Sequence, residues 1–407
     1  MNLIRLSGGF CLAGVIACGS DPAEPGPPDP GPGPTATMNV LGRGTITDRY
    51  TAEVWVHGPY AYTSTWGARF VGGVGSPGNT LNIWSVAGAT PTLVGSVVVA
   101  GASTLGDVQV TPDGRYLVMP TEREPGSIVT YDLADPVKPA LISTFTSPGI
   151  TRGVHTAEIQ TVDGRLYAFL SVNAGTNHPP RLVIVDLTNP AQPQEVLSLD
   201  MSASFIHDVF VRDGILFVAQ WGSGMVIYDI GGGGRGGTVQ NPVRIGSVVT
   251  VRGNVHNIWW FHDPSSGAKR YAFVGEEGPA SLFSSSSGDL HVVDVSDMAA
   301  PREVAFLHVP GAGVHNFSMD EAQGFLYAAF YNGGVQALDV RGDLSACTAQ
   351  EKAPDGRCDL QLMGRVKAVG LAESGTPVFV WGVHFTGTAL YASDMPNGLW
   401  KLTPLSR

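Results

Sequence analysis

Charged residues are scarce in this chain. Only 14% of its 407 residues are Asp, Glu, Lys or Arg, and the 24 basic residues are outnumbered by 35 acidic ones. The resulting net charge of -11 argues against a nucleic-acid partner, because binding phosphates requires clustered Lys and Arg. No run of helix-forming residues recurs at helical spacing, which argues against a helical fold. Abundant instead are Gly (53) and Pro (29), which suit short strands joined by tight turns.

Recognisable catalytic motifs are missing as well. The sequence contains no G-x-S-x-G elbow, no H-E-x-x-H pair and no P-loop. Its one glycine-rich stretch, GGGGRGG at 231–237, follows an apolar strand but precedes no helix, which predicts a flexible turn and not a phosphate cradle. With 43% apolar residues, the chain can still bury a large core.

The N-terminal segment has the pattern of an export signal. Arg5 precedes an apolar stretch over residues 10–17 that is too short to span a bilayer. The sequence VIAC that ends at Cys18 resembles the lipobox of bacterial lipoproteins. This resemblance implies that residues 1–17 are removed and that Cys18 becomes the lipidated first residue; an ordinary secretory signal is the alternative. Residues 18–37 then form a Pro/Gly-rich tether that cannot pack.

A lipidated Cys18 predicts attachment to a membrane of the cell envelope. Gly19 and Ser20 lack the Asp that often retains lipoproteins at the inner membrane, which favours the outer membrane or the cell surface. Of the other cysteines, Cys347 and Cys358 lie in one loop-like segment of an exported chain, which favours a disulfide between them. We expect a monomer that binds no nucleic acid.

A repeated unit organises residues 38–407. An apolar strand that ends mostly in Asp recurs seven times, each time after a strand rich in Tyr, Phe and Ala. The Asp-equivalent positions are Ser85, Asp132, Asp186, Asp229, Asp294, Asp339 and Thr403. A further apolar strand follows each of the first six copies, whereas the strand for the seventh is NVLGRGTI at 39–46. This pattern predicts an all-β fold, a single seven-bladed β-propeller of four-stranded blades closed by an N-terminal strand.

The third copy of the unit carries a family signature. Leu182 to Asp186 spell LVIVD and are followed by LTNPAQP, so the chain resembles the LVIVD-repeat proteins. The resemblance covers all seven units and is strongest in units three to six; Ser85 and Thr403 depart from its Asp. It implies an exported or surface-attached propeller and very little chemistry. We expect the repeated Asp to cap the turn that follows it.

Histidine occupies one repeat position in four consecutive units. Aligned on their inner strands, the units begin with Ala52-Glu53, Gly106-Asp107, His155-Thr156, His207-Asp208, His256-Asn257, His315-Asn316 and Val380-Trp381. These positions ring one mouth of the central channel, and the loops between second and third strands open on the same face. The loops contribute Trp66, Glu122, Glu124, His178, Trp221, Glu276, Glu277, Tyr331 and Asp394. We expect a concave site lined by histidines, carboxylates and aromatic rings.

Two interpretations of His155, His207, His256 and His315 remain open. In one, each imidazole hydrogen-bonds a backbone carbonyl or a neighbouring Asp and braces the turn between blades. In the other, several imidazoles hold Fe, Cu or Zn, and Glu276 or Glu277 completes the shell. Carotenoid cleavage oxygenases (iron) and selenium-binding/methanethiol oxidase proteins (copper) offer precedents that resemble this chain in architecture alone. The bracing role is favoured, because four adjacent blades span only part of the ring.

The sequence therefore supports two functions. The first is a membrane-anchored lipoprotein whose propeller binds an unknown protein or small molecule at its histidine-lined mouth. Further mouth residues in this hypothesis are Asp107, Asp208, Trp221, Tyr331 and Asp394. The alternative is a metal-dependent oxidoreductase with the four histidines as ligands; a purely structural envelope protein is a third possibility. The histidines expected at the surface are His57, His262, His291 and His308, and His384 is expected near the channel.

Overall fold

The computed structural model describes residues 34, 36–175, 178–202, 204–372 and 374–407. Residues 1–33, which include the predicted signal, Cys18 and most of the tether, lie outside this description. The described chain forms seven four-stranded antiparallel blades, as predicted, and contains no α-helix. In the same residues, no helix is long and apolar enough to cross a membrane.

Each blade has four strands, from an inner strand at the channel to an outer strand at the rim. Blade 1 consists of Tyr50–His57, Tyr60–Trp66, Thr80–Ser85 and Thr92–Val98. Blade 2 consists of Gln109–Val110, Tyr116–Thr121, Ser127–Asp132 and Ala140–Phe145. Blade 3 consists of Val154–Val162, Arg165–Val172, Arg181–Asp186 and Gln194–Asp200. Blades 4 and 5 consist of Asp208–Arg212, Ile215–Ala219, Met225–Asp229 and Val243–Val248; and Val255–Trp260, Tyr271–Glu276, Leu290–Asp294 and Arg302–Leu307. Blades 6 and 7 consist of Phe317–Asp320, Phe325–Ala329, Val335–Asp339 and Val366–Gly370; and Val380–Phe385, Leu390–Asp394, Gly398–Leu402 and the N-terminal strand Val40–Thr45.

The N-terminal strand closes the ring. Val40–Thr45 pairs antiparallel with Gly398–Leu402, with Val40 opposite Leu402. A short strand before it, Ala36–Thr37, pairs in parallel with Val366–Gly370 of blade 6. Every inner strand contacts the inner strands of both neighbouring blades, and the first contacts the seventh. Closure therefore leaves no blade with an unpaired edge at the seam.

The core lies between the blades. On the LVIVD strand, Leu182 and Ile184 pack into a cluster with blade 4, whereas Val183 and Val185 pack into a cluster with blade 2. All four side chains are fully buried. Because both faces of a blade are covered, its middle strands are continuously apolar and do not alternate with polar residues.

The repeated Asp caps the turn that follows its strand, as predicted. Its carboxylate accepts a hydrogen bond from the backbone N–H two residues further on in five blades, four of which have a short turn. In the short turns, these bonds run from Ala134 to Asp132 (2.6 Å), Thr188 to Asp186 (2.8 Å), Ser296 to Asp294 (3.0 Å) and Arg341 to Asp339 (3.2 Å). The side chain thereby fixes the turn between third and fourth strands.

The glycine-rich stretch is an extended version of the same cap. Four of its backbone N–H groups donate to the carboxylate of Asp229, from Gly231 (2.9 Å), Gly233 (2.8 Å), Arg235 (2.6 Å) and Gly237 (3.2 Å). Burial opposes the charge, but these bonds outweigh it and lower the pKa of Asp229 to about 2. The stretch thus binds a carboxylate of its own chain, and this bonding orders it where a flexible turn was expected.

Two insertions decorate the ring. A hairpin of Ala68–Val71 and Val74–Pro77 extends from blade 1. Cys347 and Cys358 form a disulfide that closes a loop containing the 3-10 helix Ala349–Glu351. The strand Cys358–Asp359 then adds in parallel to the rim of blade 5.

His291 is buried, although the sequence placed it at the surface. Its side chain is 0% exposed and lies between two carboxylates: Nδ1 is 2.7 Å from Glu303 and Nε2 is 3.3 Å from Glu276. Burial disfavours the charged imidazole, but hydrogen bonds to the two carboxylates outweigh burial and raise the pKa of His291 to about 9. A protonated His291 therefore bridges two strands of blade 5.

We expect the stability of the propeller to fall in mildly alkaline solution. Because the pKa of His291 rises from 6.5 to about 9 on folding, its contribution is complete below pH 6.5 and is lost as the pH rises through 9. The contribution is roughly 3 kcal/mol. Urea unfolding at pH 6.5 and 9.5 should show this loss in the wild type and a much flatter dependence in His291→Gln. An equal change in the free energy of unfolding between the two pH values for both proteins would contradict the assignment.

Candidate functional site

Four histidines from consecutive blades lie side by side at one end of the channel. This histidine arc consists of His155, His207, His256 and His315, whose neighbouring ring centroids are 4.3, 3.9 and 4.0 Å apart. Each residue stands at or just before the start of an inner strand. Because the inner strands converge on the axis, the shared repeat position becomes a shared location, as the alignment predicted.

The arc ends where small residues take over the repeat position. Ala52 and Gly106 hold it in blades 1 and 2. A Cβ on Gly106 would lie 2.2 Å from the carbonyl oxygen of His155, so no side chain fits there. The absence of a side chain at Gly106 allows the backbone of blade 3 to approach blade 2 closely. The histidines therefore occupy only part of the ring.

His155 forms a pair with a carboxylate. Its Nδ1 is 3.0 Å from Oε1 of Glu122. The other oxygen of this carboxylate accepts a hydrogen bond from the indole N–H of Trp66. Since a carboxylate only accepts hydrogen bonds, the proton is on Nδ1. Burial disfavours a charged His155, but the hydrogen bond to Glu122 and its negative charge outweigh burial and raise the pKa of His155. The same hydrogen bond outweighs the effect of burial on Glu122 and lowers the pKa of that carboxyl group.

His315 is anchored to a backbone carbonyl. Its Nδ1–H donates to the carbonyl oxygen of Trp381 over 2.7 Å, which leaves the lone pair on Nε2. Burial lowers the pKa of His315 to about 3, so the ring is neutral. Of the four histidines, this one matches the bracing role considered from the sequence most closely.

The two central histidines carry unsatisfied ring nitrogens. His207 Nε2 lies 3.0 Å from Nε2 of His155, but His207 Nδ1 has no hydrogen-bond partner among the described residues. His256 is 1% exposed, and neither of its nitrogens has a hydrogen-bond partner of normal geometry there; the side chain of Asn257 acts only as a weak partner that partly opposes the lowering of its pKa. Burial, reinforced by the charge of neighbouring histidines, holds the pKa of both well below the usual value, so both rings are neutral. Each buried unsatisfied group costs about 1–3 kcal/mol.

Glu277 brings a carboxylate to the same two rings. Its Oε2 is 3.6 Å from Nε2 of His207 and 3.9 Å from Nε2 of His256. The hydroxyl of Tyr331 donates to Oε1 of Glu277 and orients the group. Burial raises the pKa of Glu277. One donor atom each from His207, His256 and Glu277 therefore lie within 4.8 Å of one another.

The dimensions of this cluster are close to those of a site for a single metal ion. Two ligands bound at about 2.1 Å in perpendicular directions lie about 3.0 Å apart, and tetrahedral ligands lie about 3.4 Å apart. The distances from Glu277 Oε2 to Nε2 of His207 and of His256, 3.6 and 3.9 Å, are somewhat longer, so an ion would draw these donor atoms closer together. The cavity beside the arc measures about 20 Å³, enough for one water or one ion. Neutral imidazoles with one carboxylate suit Fe, Cu or Zn.

The structure places the other predicted mouth residues in different surroundings. Trp221 stacks on His207 with ring centroids 5.4 Å apart, so it belongs to the arc. Glu276 turns away and accepts the backbone N–H of Asn254 at 3.0 Å beside His291. Asp394 is fully buried and accepts the indole N–H of Trp400 at 2.8 Å, within blade 7.

Asp107 and Asp208 face a larger space, the axial cavity. This cavity of about 590 Å³ is lined by all seven inner strands, and Glu53 and Glu158 add two more carboxylates to it. Burial raises the pKa of all four, to about 8 for Glu158. The sequence did not single out Glu53 or Glu158 as site residues. A usable signal for Glu53 was the polar residue that follows the repeat position in the first six units; Glu158 lies outside this pattern.

Comparisons with known proteins agree on the class. The model of the LVIVD repeat matches residues 48–71, 178–201 and 285–307. The first match covers the two inner strands of blade 1, and the others cover the two outer strands of blades 3 and 5. The protein is thus a seven-bladed β-propeller that contains LVIVD repeats.

Solved structures show the fold alone. The crystal structure of Saccharomyces cerevisiae Sqt1 is similar with a TM-score of 0.54 and 11% identity, covering 88% of this chain and 83% of that one. Because 1206 solved chains match in this way, the likeness does not select a function. No curated protein matches the sequence.

We expect two histidine substitutions in the arc to have opposite effects on the metal-free protein. His256→Leu removes two unsatisfied buried nitrogens and should raise the free energy of unfolding by about 1–2 kcal/mol. His315→Leu breaks the bond to Trp381 and should lower it by a similar amount. Urea unfolding with a chelator present measures both, and a loss of stability in His256→Leu would show that this ring is braced after all.

Proposed function

We propose that this protein is an exported, lipid-anchored β-propeller that binds a transition-metal ion at the histidine arc. The observation that carries the proposal is His256, which is 1% exposed and has no hydrogen-bond partner of normal geometry for either ring nitrogen among the described residues. Buried polar groups are nearly always satisfied, and a metal ion would satisfy this one. His207 and Glu277 stand at suitable distances to share the ion.

The surrounding residues support the same ligand set. A metal-bound histidine normally donates its other ring N–H to a carboxylate or carbonyl, as His155 does to Glu122 and His315 to Trp381. His155 Nε2 lies 3.0 Å from Nε2 of His207, and the ring centroid of His315 lies 4.0 Å from that of His256. A metal bound to His155 would displace the Nε2 proton that the raised pKa of this ring favours. Tyr331 supports Glu277 through a hydrogen bond. The narrow cavity of about 20 Å³ favours an ion over an organic ligand at this end.

Metal binding should depend on the central residues. Purified wild-type protein supplied with Fe, Cu or Zn is expected to bind about one equivalent, whereas His256→Leu and Glu277→Gln should bind at least ten times more weakly. His57→Leu is the matched control, since His57 is exposed and far along its strand from the arc. Elemental analysis and metal titration give the readout. Less than about 0.1 equivalent in the wild type, or equal binding by all variants, would refute the proposal.

A metal-dependent oxidoreductase is the second candidate. The three donors His207, His256 and Glu277 form a set of two histidines and one carboxylate, a set that in non-haem iron enzymes leaves positions open for other ligands. The axial cavity shares Glu53, Asp107 and Asn316 with the small cavity of the arc, so a molecule there lies next to the ion. Activity that disappears together with the metal in Glu277→Gln would support this alternative.

The anchor has a separate test. In the intact chain, Cys18→Ser should abolish labelling by fatty acid and release the protein from the membrane fraction, because a single thiol carries the lipid. Cys11→Ser, within the predicted signal, should leave labelling unchanged. Unlabelled wild-type protein would refute the anchor and leave the metal site unaffected.

A further inference from the structure

The axial cavity is a second site, on the opposite side of the arc from the mouth. Its volume of about 590 Å³ lies within the range of small-molecule sites and is far too large for one bare ion. All seven inner strands contribute to its wall. A closed ring of strands holds such a wall in place without a ligand, so the space is preformed.

Among the described residues, no Lys or Arg compensates four of the five carboxyl groups on the wall of the cavity. Glu321 is paired with Arg212, and the other four are Glu53, Asp107, Glu158 and Asp208. None of them forms an ion pair with a Lys or Arg of the described residues; their partners are neutral donors, such as the amide of Asn316 and the backbone N–H of Ala157.

The one arginine on the wall is already engaged. Arg212 binds Glu321 through both terminal nitrogens, at 2.5 and 2.9 Å. This bidentate pair neutralises Glu321 and leaves no charge of Arg212 for the four carboxylates. Burial raises the pKa of the four carboxyl groups, and an ammonium group placed between them would favour their ionised form, so the cavity favours a positively charged occupant.

Aromatic rings form part of the same wall. Trp55, Phe210 and Trp259 line the cavity, and Phe210 and Trp259 lie 5.5 Å apart. Aromatic faces attract organic cations and also cover their alkyl parts. A hydrated inorganic ion gains little from such rings. Asn257, which is 4% exposed and lines the cavity, has an amide oxygen without a hydrogen-bond donor among the described residues.

We propose that the axial cavity binds a small organic cation with two or more ammonium groups on an alkyl chain. Carboxylates on the inner strands of blades 1 to 4 receive the separated ammonium groups. The rings of Trp55, Phe210 and Trp259 cover the chain between them. This site goes beyond the metal proposal and does not depend on it, since neither Glu158 nor Phe210 belongs to the arc.

The test uses the full-length protein and defined probes. Isothermal titration with 1,4-diaminobutane and spermidine, in chelator and at physiological salt, should show saturable binding, whereas the neutral isostere 1,4-butanediol should not bind. Glu158→Gln should weaken binding at least tenfold, and Phe210→Leu about two- to fivefold. Glu124→Gln is the matched control, because it removes one exposed carboxylate that does not line the axial cavity and should bind as the wild type does.

The outcomes separate this site from the metal centre. Diamine binding that persists in Glu277→Gln supports a second, independent site. Binding that is equal in Glu158→Gln and Glu124→Gln would reduce the effect to the net charge of -11 and overturn the proposal. Displacement of the diamine by stoichiometric Ca²⁺ or Mg²⁺ would overturn it as well, in favour of an inorganic cation. Thermal unfolding of each variant verifies that the ring remains closed.

Discussion

The ladder between Val40–Thr45 and Gly398–Leu402 is the interaction on which the remaining structure depends. It joins the two ends of the propeller, so that the inner strand of blade 7 is held against that of blade 1. Only a closed ring fixes the distance between neighbouring inner strands. The separation of 3.9 Å between the ring centroids of His207 and His256 is a consequence of that spacing, because the two residues come from different blades. Closure thus converts a repeat position into a site.

A rigid ring also explains how the protein tolerates polar groups that its own fold leaves unsatisfied. Neighbouring blades bury large apolar clusters on both faces of every middle strand, so the scaffold is over-determined. Against that background, each unsatisfied buried nitrogen lowers the free energy of unfolding by about 1–3 kcal/mol without unfolding the protein. Departures from polar satisfaction of this kind concentrate at functional sites, where a ligand supplies the missing partner. His256 is such a departure, and His315, with its bond to Trp381, is not.

Much of the fold followed from the sequence, because blades repeat and repetition is visible. The strand copies, the capping role of Asp186 and the closing N-terminal strand all rest on local patterns. The side-by-side placement of the histidines followed from alignment alone. The sequence did not reveal which of Glu276 and Glu277 faces the arc. That choice depends on how the backbone runs at the end of the strand, where the N–H of Glu276 donates a hydrogen bond to the carbonyl of Asp289.

The burial of His291 escaped prediction for a similar reason. Its partner Glu303 lies across a strand pair, whose register includes a bulge at Val292 and Val293. A single sequence shows that a histidine is on a third strand but not that two carboxylates meet it there. Ring tautomers likewise depend on what each nitrogen contacts in the neighbouring blade. Position within the repeat was predictable, and the partners across blades were not.

The placement of charge gives the last reason to assign ligands to the axis. Only 14% of the residues are charged, yet four carboxylates face one cavity without a basic partner among the described residues. The propeller itself does not require Glu53, Asp107 and Asp208, because the equivalent positions in blades 3, 5 and 6 hold the neutral residues Thr156, Asn257 and Asn316. Where neutral residues suffice for the fold, buried carboxylates only add a desolvation cost. A cation bound between them would offset that cost, and this balance is the physical ground for proposing that the channel binds a ligand.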